Sequence, residues 1–139
     1  MAYLKKFTSA ACLPVKSTIG SCGYDLFSSS DVLVRPGESV SVATDIGVLL
    51  PPGVAGVILG RSGMFAKHKL MVFNGLIDRD FTGKIVVMLI NFSTESYSIK
   101  FGMRIAQLLF VSTYDGSVSE TETLPISERG EGGFESTGY

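Results

Sequence analysis

Side chains that could do chemistry are concentrated in residues 74–83, which read NGLIDRDFTG. This stretch places two carboxylates, the first from Asp78, and the ring of Phe81 directly after an Asn-Gly pair with apolar residues on either side. Asn-Gly between apolar runs is typical of a two-residue β-hairpin, because both residues tolerate the positive φ of a type I′ turn. The sequence therefore predicts that the chain reverses at Asn74 and Gly75, and that Asp78 projects from a short strand into a site for a polar ligand.

Two other segments carry groups suited to binding phosphate. Arg61, Ser62 and Gly63 combine a cation, a hydroxyl and a flexible backbone at the end of an apolar run. The C-terminal tail combines four glycines with Arg129 and the Ser136-Thr137 pair, and glycine lets backbone N–H groups approach oxygen closely. The tail has neither a Walker loop nor a dinucleotide fingerprint, and its composition also fits a solvated linker. Both interpretations remain open on composition alone.

Two polar residues interrupt apolar segments elsewhere. Gln107 follows Arg104 in a strand-like run, and a buried Gln107 would need hydrogen-bond partners, either in a structural network at a subunit contact or in a ligand. Asp25 lies in the run GYDLF, where it could form a turn or support a site as a carboxylate. His68 stands between two lysines and is predicted to be solvated, with no serine or cysteine nucleophile at a recognisable spacing.

Length and composition limit the class of protein. A chain of 139 residues with 45% hydrophobic residues predicts one domain with its own core. The formal net charge of -1 argues against nucleic acid or an anionic membrane as a partner. Two cysteines and one histidine provide neither a disulfide framework nor a zinc cluster. We find no signal-peptide pattern and no membrane span, so the sequence predicts a soluble intracellular protein, cytoplasmic or nuclear.

Short apolar segments separated by glycine and proline predict an all-β sandwich or barrel over residues 1–126, followed by a mobile tail at 127–139. Alternate residues from Val40 to Leu50 are apolar or Thr, which predicts a half-buried strand or strand pair. Residues 85–90 are continuously apolar and predict a strand covered on both faces. Residues 64–70 favour one or two turns of helix.

Taken in chain order, these segments resemble the five signature motifs of the trimeric deoxyuridine triphosphate diphosphatases (dUTPases). The matching segments are Cys22–Leu26, Gly60–Gly63, Gly75–Gly83, Gly102–Gln107 and Arg129–Gly138. The resemblance covers almost the whole chain. Five short motifs in the correct order are much more specific than any one of them.

The resemblance implies a jelly-roll-like β-barrel homotrimer that cleaves dUTP between its α and β phosphates with Mg²⁺, giving dUMP and pyrophosphate. It implies that Asp78 activates the attacking water and that Asp25 reaches the metal through water. The implied phosphate-binding residues are Arg61, Ser62, Gly63, Gln107, Arg129, Ser136 and Thr137. The implied uracil- and deoxyribose-binding residues are Asn74, Gly75, Leu76, Ile77, Phe81 and Phe134.

The resemblance also implies that three chains share each site. The first, second and fourth motifs come from one chain, the third from another and the tail from the last. The thirteen residues of the tail would span roughly 43 Å when fully extended, so the tail can close over the site of a neighbouring subunit.

Three positions depart from the family pattern. Met103 replaces a usual polar residue in the fourth motif, and little effect is expected from it. Phe81 replaces the usual tyrosine but keeps the ring, so ribose is still predicted to be excluded. Glu135 replaces the usual glycine and adds negative charge near the triphosphate, which predicts weaker closure of the tail. A non-catalytic trimer that binds nucleotide or a protein partner is the alternative. The pattern of the dCTP deaminases, which share the fold, is not found.

Overall fold

The structure is a computed structural model that describes residues 1–73 and 75–130. Short extended segments dominate it, because β-branched and apolar residues alternate with polar ones between glycine- and proline-containing turns. Over the described residues there are eleven strands and one helix. They are β1 (Tyr3–Lys6), β2 (Tyr24–Phe27), β3 (Val32–Val34), β4 (Ser39–Ala43), β5 (Ile46–Leu49), β6 (Val54–Leu59), α1 (Ser62–His68), β7 (Leu70–Phe73), β8 (Gly75–Ile77), β9 (Val86–Asn91), β10 (Tyr97–Ile99) and β11 (Arg104–Ser112).

The strands form two larger sheets and two ribbons. One sheet has the order β2-β11-β6-β8 and the other β4-β9-β7, while β1 pairs with β5 and β3 with β10. Every strand pairing is antiparallel. Buried residues from both sheets, such as Leu26 and Leu108 on one and Val87 and Leu89 on the other, belong to a single hydrophobic cluster. Two sheets that share one core form a β-sandwich, so the predicted all-β class is confirmed.

The alternating run from Val40 to Leu50 forms two strands, as the pattern allowed. Strands β4 and β5 are separated by Asp45, whose φ of 53° lies in the left-handed region. This break moves the chain from the β4-β9-β7 sheet to the ribbon with β1. The predicted short helix is also confirmed: α1 covers seven residues.

The predicted hairpin at Asn74-Gly75 is wrong. Strand β7 pairs with β9, whereas β8 pairs with β6, so the segments before and after the Asn-Gly pair belong to different sheets. Val72 of β7 and Ile77 of β8 are both buried in the shared core, each from its own sheet. Core packing has overridden the local turn preference. Asn74 itself lies outside the described residues.

The prediction that residues 85–90 are covered on both faces is wrong for the single chain. Strand β9 alternates: Val87 and Leu89 are fully buried, while Val86 and Met88 are 42% and 47% exposed. Met88 lies opposite Phe73 of β7, which is 60% exposed, and Ile90 lies opposite Met71. We call Met71, Phe73, Val86 and Met88 the outer apolar face. The continuous apolar character of β9 therefore reflects a second face that one chain leaves open.

No helix in the described ranges is both long enough and apolar enough to cross a membrane.

Candidate active site

The first cavity, of about 1040 Å³, opens where the ends of β2, β11 and α1 meet. Central strand β11 brings Gln107 opposite Asp25 on one side and opposite Leu59 on the other. Residues 61–63, which follow β6, therefore arrive at the same end of the sheet. The predicted site residues that line this cavity are Asp25, Arg61, Ser62, Gly63 and Gln107.

A buried carboxylate organises the cations of the first cavity. Asp25 is 7% exposed, and its two oxygens lie 3.1 Å from Nε of Arg61 and 3.0 Å from Nε of Arg104. The Ser17 hydroxyl donates a further hydrogen bond of 2.8 Å to the Asp25 carboxylate. Asp25 thus belongs to strand β2 and supports the site, and the alternative of a turn former is wrong. Each arginine is held through Nε, and Nη1 of Arg61 also donates to the carbonyl oxygen of Arg104 over 3.4 Å. Nη2 of Arg61 and the terminal nitrogens of Arg104 can therefore bind an anion in the cavity.

Arg104 was missing from the predicted site residues. Its position beside Gln107 in the fourth motif was the available signal, but strand alternation alone does not show that it pairs with Asp25. Arg104 and Asp25 stand far apart in the chain and meet because β11 pairs with β2.

His68 is exposed, as predicted. The centroid of its ring lies 4.6 Å from that of Tyr97, and His68 also lines the first cavity.

The amide of Gln107 is fixed on both sides. Its Nε2 donates a 2.9 Å hydrogen bond to the carbonyl oxygen of Gly60, while its Oε1 lies close over Gly23. A Cβ added to Gly23 would stand 2.6 Å from that oxygen, a distance that requires the amide to move. The half-buried Gln107 therefore lines the first cavity while making a structural hydrogen bond within the chain, so the structure is compatible with both roles.

We expect Gly23→Ala to raise the KM for dUTP, the substrate that the resemblance implies, about fivefold, because displacing Gln107 removes a hydrogen bond worth roughly 1 kcal/mol. Gly20→Ala is the matched control, since nothing lies within 4 Å of a Cβ added there. Steady-state kinetics of the two variants checks this expectation. Equal KM values for both would show that Gln107 does not depend on Gly23.

The second cavity, of about 350 Å³, collects the residues of the third motif. Gly75, Leu76 and Ile77 of β8 line it together with Asp78 and Phe81. The chain turns tightly after β8, since the N–H of Phe81 donates to the carbonyl oxygen of Asp78 over 3.1 Å. This turn, and not the predicted one at Asn74-Gly75, brings the exposed carboxylate of Asp78 and the ring of Phe81 to the same cavity.

The two groups of predicted residues do not meet within one chain. Among the described residues, no side chain lines both the first and the second cavity. The first cavity supplies cations and hydrogen-bond donors for phosphate but lacks Asp78, whereas the second supplies Asp78 and an aromatic ring but no arginine. Within the described residues, neither cavity therefore combines the arginines of the first with Asp78 of the second.

The tail residues are placed only in part. Arg129 is exposed and lies in a turn in which the N–H of Gly130 donates to the carbonyl oxygen of Ser127 over 3.1 Å. It lines neither the first nor the second cavity. Phe134, Ser136 and Thr137 lie outside the described residues.

The donor set allows one kind of metal site. Within 1–73 and 75–130, no group of three or more His, Cys, Asp or Glu side chains could hold an ion directly. Asp25 is the acidic residue that lines the first cavity, and each of its oxygens has two lone pairs, so it can still accept a hydrogen bond from a metal-bound water. Mg²⁺ keeps several waters when it is bound with substrate phosphates. The residues present therefore fit a Mg²⁺ ion carried by phosphate and contacted through water.

Comparison with known proteins decides the family. The dUTPase family model matches residues 9–138. The chain belongs to the dUTPase family. Deoxyuridine 5′-triphosphate nucleotidohydrolase of Mus musculus is 40% identical over 133 residues, which cover 96% of this chain and 82% of the mouse protein. The enzyme of the same name from Clostridium kluyveri is 39% identical over 137 residues, covering 97% and 96%.

Two further dUTPases complete the comparison. The human mitochondrial enzyme is 40% identical over 133 residues, but this chain spans only about half of it, 53%. A solved structure of the Staphylococcus bacteriophage 80alpha dUTPase, a G164S mutant with dUpNHpp, overlaps with a TM-score of 0.95 at 28% identity, covering 100% of this chain and 99% of the phage chain. That overlap confirms the predicted jelly-roll-like fold.

Proposed function

We propose that this chain hydrolyses dUTP to dUMP and pyrophosphate at active sites shared between the copies of a homotrimer. One observation carries the proposal: the phosphate-suited residues and Asp78 line different cavities of the same chain. A reaction that needs both is completed when the first cavity of one copy meets the second cavity of another. In a closed ring of identical chains, every copy gives and receives the same contact.

The outer apolar face supports association. Met71, Phe73, Val86 and Met88 are each between 38% and 60% exposed and come together on one side of the β4-β9-β7 sheet. A contiguous apolar patch of this kind marks an interaction surface. A second copy of the chain would cover the side chains that β9 leaves open.

The first cavity holds the triphosphate. Arg61, Arg104 and Gln107 offer donors, Ser62 adds a hydroxyl, and Gly63 leaves the backbone accessible, since nothing lies within 4 Å of a Cβ added to it. Asp25 keeps the two guanidinium groups oriented. Mg²⁺ bound to the phosphates would neutralise part of their charge, with Asp25 holding one of its waters.

The second cavity binds the nucleoside and activates water. Strand β8 lies at the edge of its sheet in the described part of the chain, so one row of its backbone groups can pair with the edge of uracil. Phe81 packs against the deoxyribose, where a 2′-hydroxyl would clash. Asp78 takes a proton from the water that attacks the α-phosphorus, and pyrophosphate leaves with the electrons of the broken bond.

The tail completes the site from the remaining copy. Arg129, Ser136 and Thr137 bind phosphate, and Phe134 stacks on the base, when the segment 127–139 closes over it. Asn74 contributes to the uracil- and deoxyribose-binding set, as the resemblance implies. The dUMP produced is a DNA precursor, and the cytoplasm or the nucleus remains the predicted compartment.

The test is pyrophosphate release by the purified chain with Mg²⁺ and equal concentrations of dUTP, dTTP, dCTP and UTP. We expect release from dUTP, with UTP turned over at least about tenfold more slowly because the Phe81 ring leaves little room for a 2′-hydroxyl. Binding of dUTP without release from any nucleotide would support the non-catalytic trimer instead. Release from UTP within tenfold of dUTP would contradict the role of Phe81.

A further inference from the structure

The loop that carries Asp78 and Phe81 is tied to the β1–β5 ribbon by an ion pair. Nζ of Lys84 lies 2.8 Å from Oδ1 of Asp45, which stands 39 residues earlier in the chain, just before β5. Lys84 also lines the second cavity beside Asp78 and Phe81. The pair therefore links the ribbon to the wall of the proposed nucleoside site.

Asp45 is the fixed end of this link. Its φ of 53° is uncommon for a residue other than glycine, although aspartate is among those that tolerate it. Its carbonyl oxygen also accepts a hydrogen bond of 2.9 Å from the N–H of Phe7, which follows β1. The hydrogen bond from Lys84 holds the pKa of Asp45 below its usual value, so the carboxylate remains charged at neutral pH.

The ribbon and the loop also touch through their backbones. A Cβ added to Gly47 of β5 would lie 3.1 Å from the carbonyl oxygen of Gly83 and 3.3 Å from that of Thr82. The same Cβ would lie 2.8 Å from the ring of Phe7, and Nζ of Lys84 stands 5.6 Å from the centroid of this ring. Phe7 and Gly47 thus pack closely against residues 82–84.

The far end of the loop is fastened as well. The N–H of Ile85 donates to the carbonyl oxygen of Ile46 over 2.7 Å, and the buried Thr44 hydroxyl donates to the carbonyl oxygen of Ile85 over 2.7 Å. At the near end, the Phe81 ring covers Gly83, since a Cβ added to Gly83 would lie 2.9 Å from its Cζ. A shift of residues 82–84 would therefore move the Phe81 ring directly.

We propose that the Lys84–Asp45 ion pair holds residues 78–83 against the β1–β5 ribbon. It thereby positions the Phe81 ring against the sugar and the Asp78 carboxylate beside the attacking water. This inference rests on the proposed function. Lys84 acts through Asp45 and the loop and takes no part in the chemistry. Catalysis is sensitive to placement because small displacements of a reacting group cost large factors in rate.

The test compares Lys84→Met with Lys100→Met in the full-length chain. Lys100 is a matched control because it also pairs with an aspartate, Asp31, over 3.0 Å on an exposed surface, and it lines neither described cavity. We expect Lys84→Met to lower kcat for dUTP about tenfold and to reduce the preference for dUTP over UTP about threefold or more. In Lys100→Met, both kcat and this preference should equal the wild-type values. Hydrogen–deuterium exchange of residues 78–85 should quicken in Lys84→Met alone.

Two further variants keep the outcome decisive. Asp45→Asn retains a residue that tolerates the left-handed backbone but loses the charge, so it should reproduce Lys84→Met even if that variant folds poorly. Lys84→Arg keeps the charge and should recover most of the dUTP preference. Unchanged exchange in residues 78–85 and an unchanged dUTP-to-UTP ratio in both Lys84→Met and Asp45→Asn would overturn the inference. If the wild-type chain does not hydrolyse dUTP, the proposed function is refuted. The hydrogen–deuterium exchange data would still show whether the ion pair holds residues 78–85 in place.

Discussion

Asp78→Asn is expected to lower kcat for dUTP by a factor of about 10² to 10⁴, the usual contribution of a positioned general base. Asparagine has nearly the same shape as aspartate but cannot accept a proton from water at neutral pH. Asp78 is exposed and lines the second cavity, which contains no arginine, so its removal should not disturb the cations that hold the triphosphate. The Kd for the analogue dUpNHpp should therefore stay within a few-fold of the wild-type value.

Asp80→Asn is the control for this experiment. Asp80 is an exposed carboxylate two residues further along the same turn and does not line the second cavity, so its loss should leave kcat nearly unchanged. Pyrophosphate release measures kcat, and calorimetric titration with the analogue measures Kd. If Asp78→Asn retained more than a tenth of the wild-type kcat, another group would have to activate the water.

The strands of this protein could be predicted well because their evidence is local. The alternation from Val40 to Leu50 became β4 and β5, and the strand predicted over residues 85–90 is β9, Val86–Asn91. The Asn-Gly pair failed because a turn preference worth little energy competes with burial of whole side chains. Val72 and Ile77 gain more by entering the core under different sheets than by facing each other across a hairpin.

The sequence predicted which residues belong to the candidate site but not how they are arranged in space. The motif order indicated Asp25, Arg61 and Gln107 together, and all three line the first cavity. Contacts between residues far apart in the chain could not be predicted from the spacing of the motifs. The pairing of Arg104 with Asp25 depends on the register of β11 against β2, and that of Lys84 with Asp45 depends on how a loop rests on a ribbon. Such contacts emerge only once the strands are assembled.

The division of the site between two cavities predicts complementation between inactive chains. Arg61→Met should damage the first cavity, and Asp78→Asn the second, so each homotrimer alone should release little pyrophosphate. If Asp78 of one copy serves the first cavity of another, a trimer containing both variants has some sites with an intact Arg61 and an intact Asp78. Random reassembly of an equal mixture should then recover about a quarter of wild-type activity, because each site draws its two halves independently from the two kinds of chain.

A second mixture controls for effects of reassembly itself. Arg104→Met removes the other arginine that pairs with Asp25 in the same cavity, so an equal mixture of this variant and Arg61→Met contains no intact first cavity and should recover no activity. Wild-type chain taken through the same denaturation and refolding gives the reference rate. Recovery in the first mixture alone would require Asp78 and Arg61 to act from different copies. Equal lack of recovery in both mixtures, with an active refolded reference, would instead place Asp78 in the site of its own chain and would remove the main argument for a shared site.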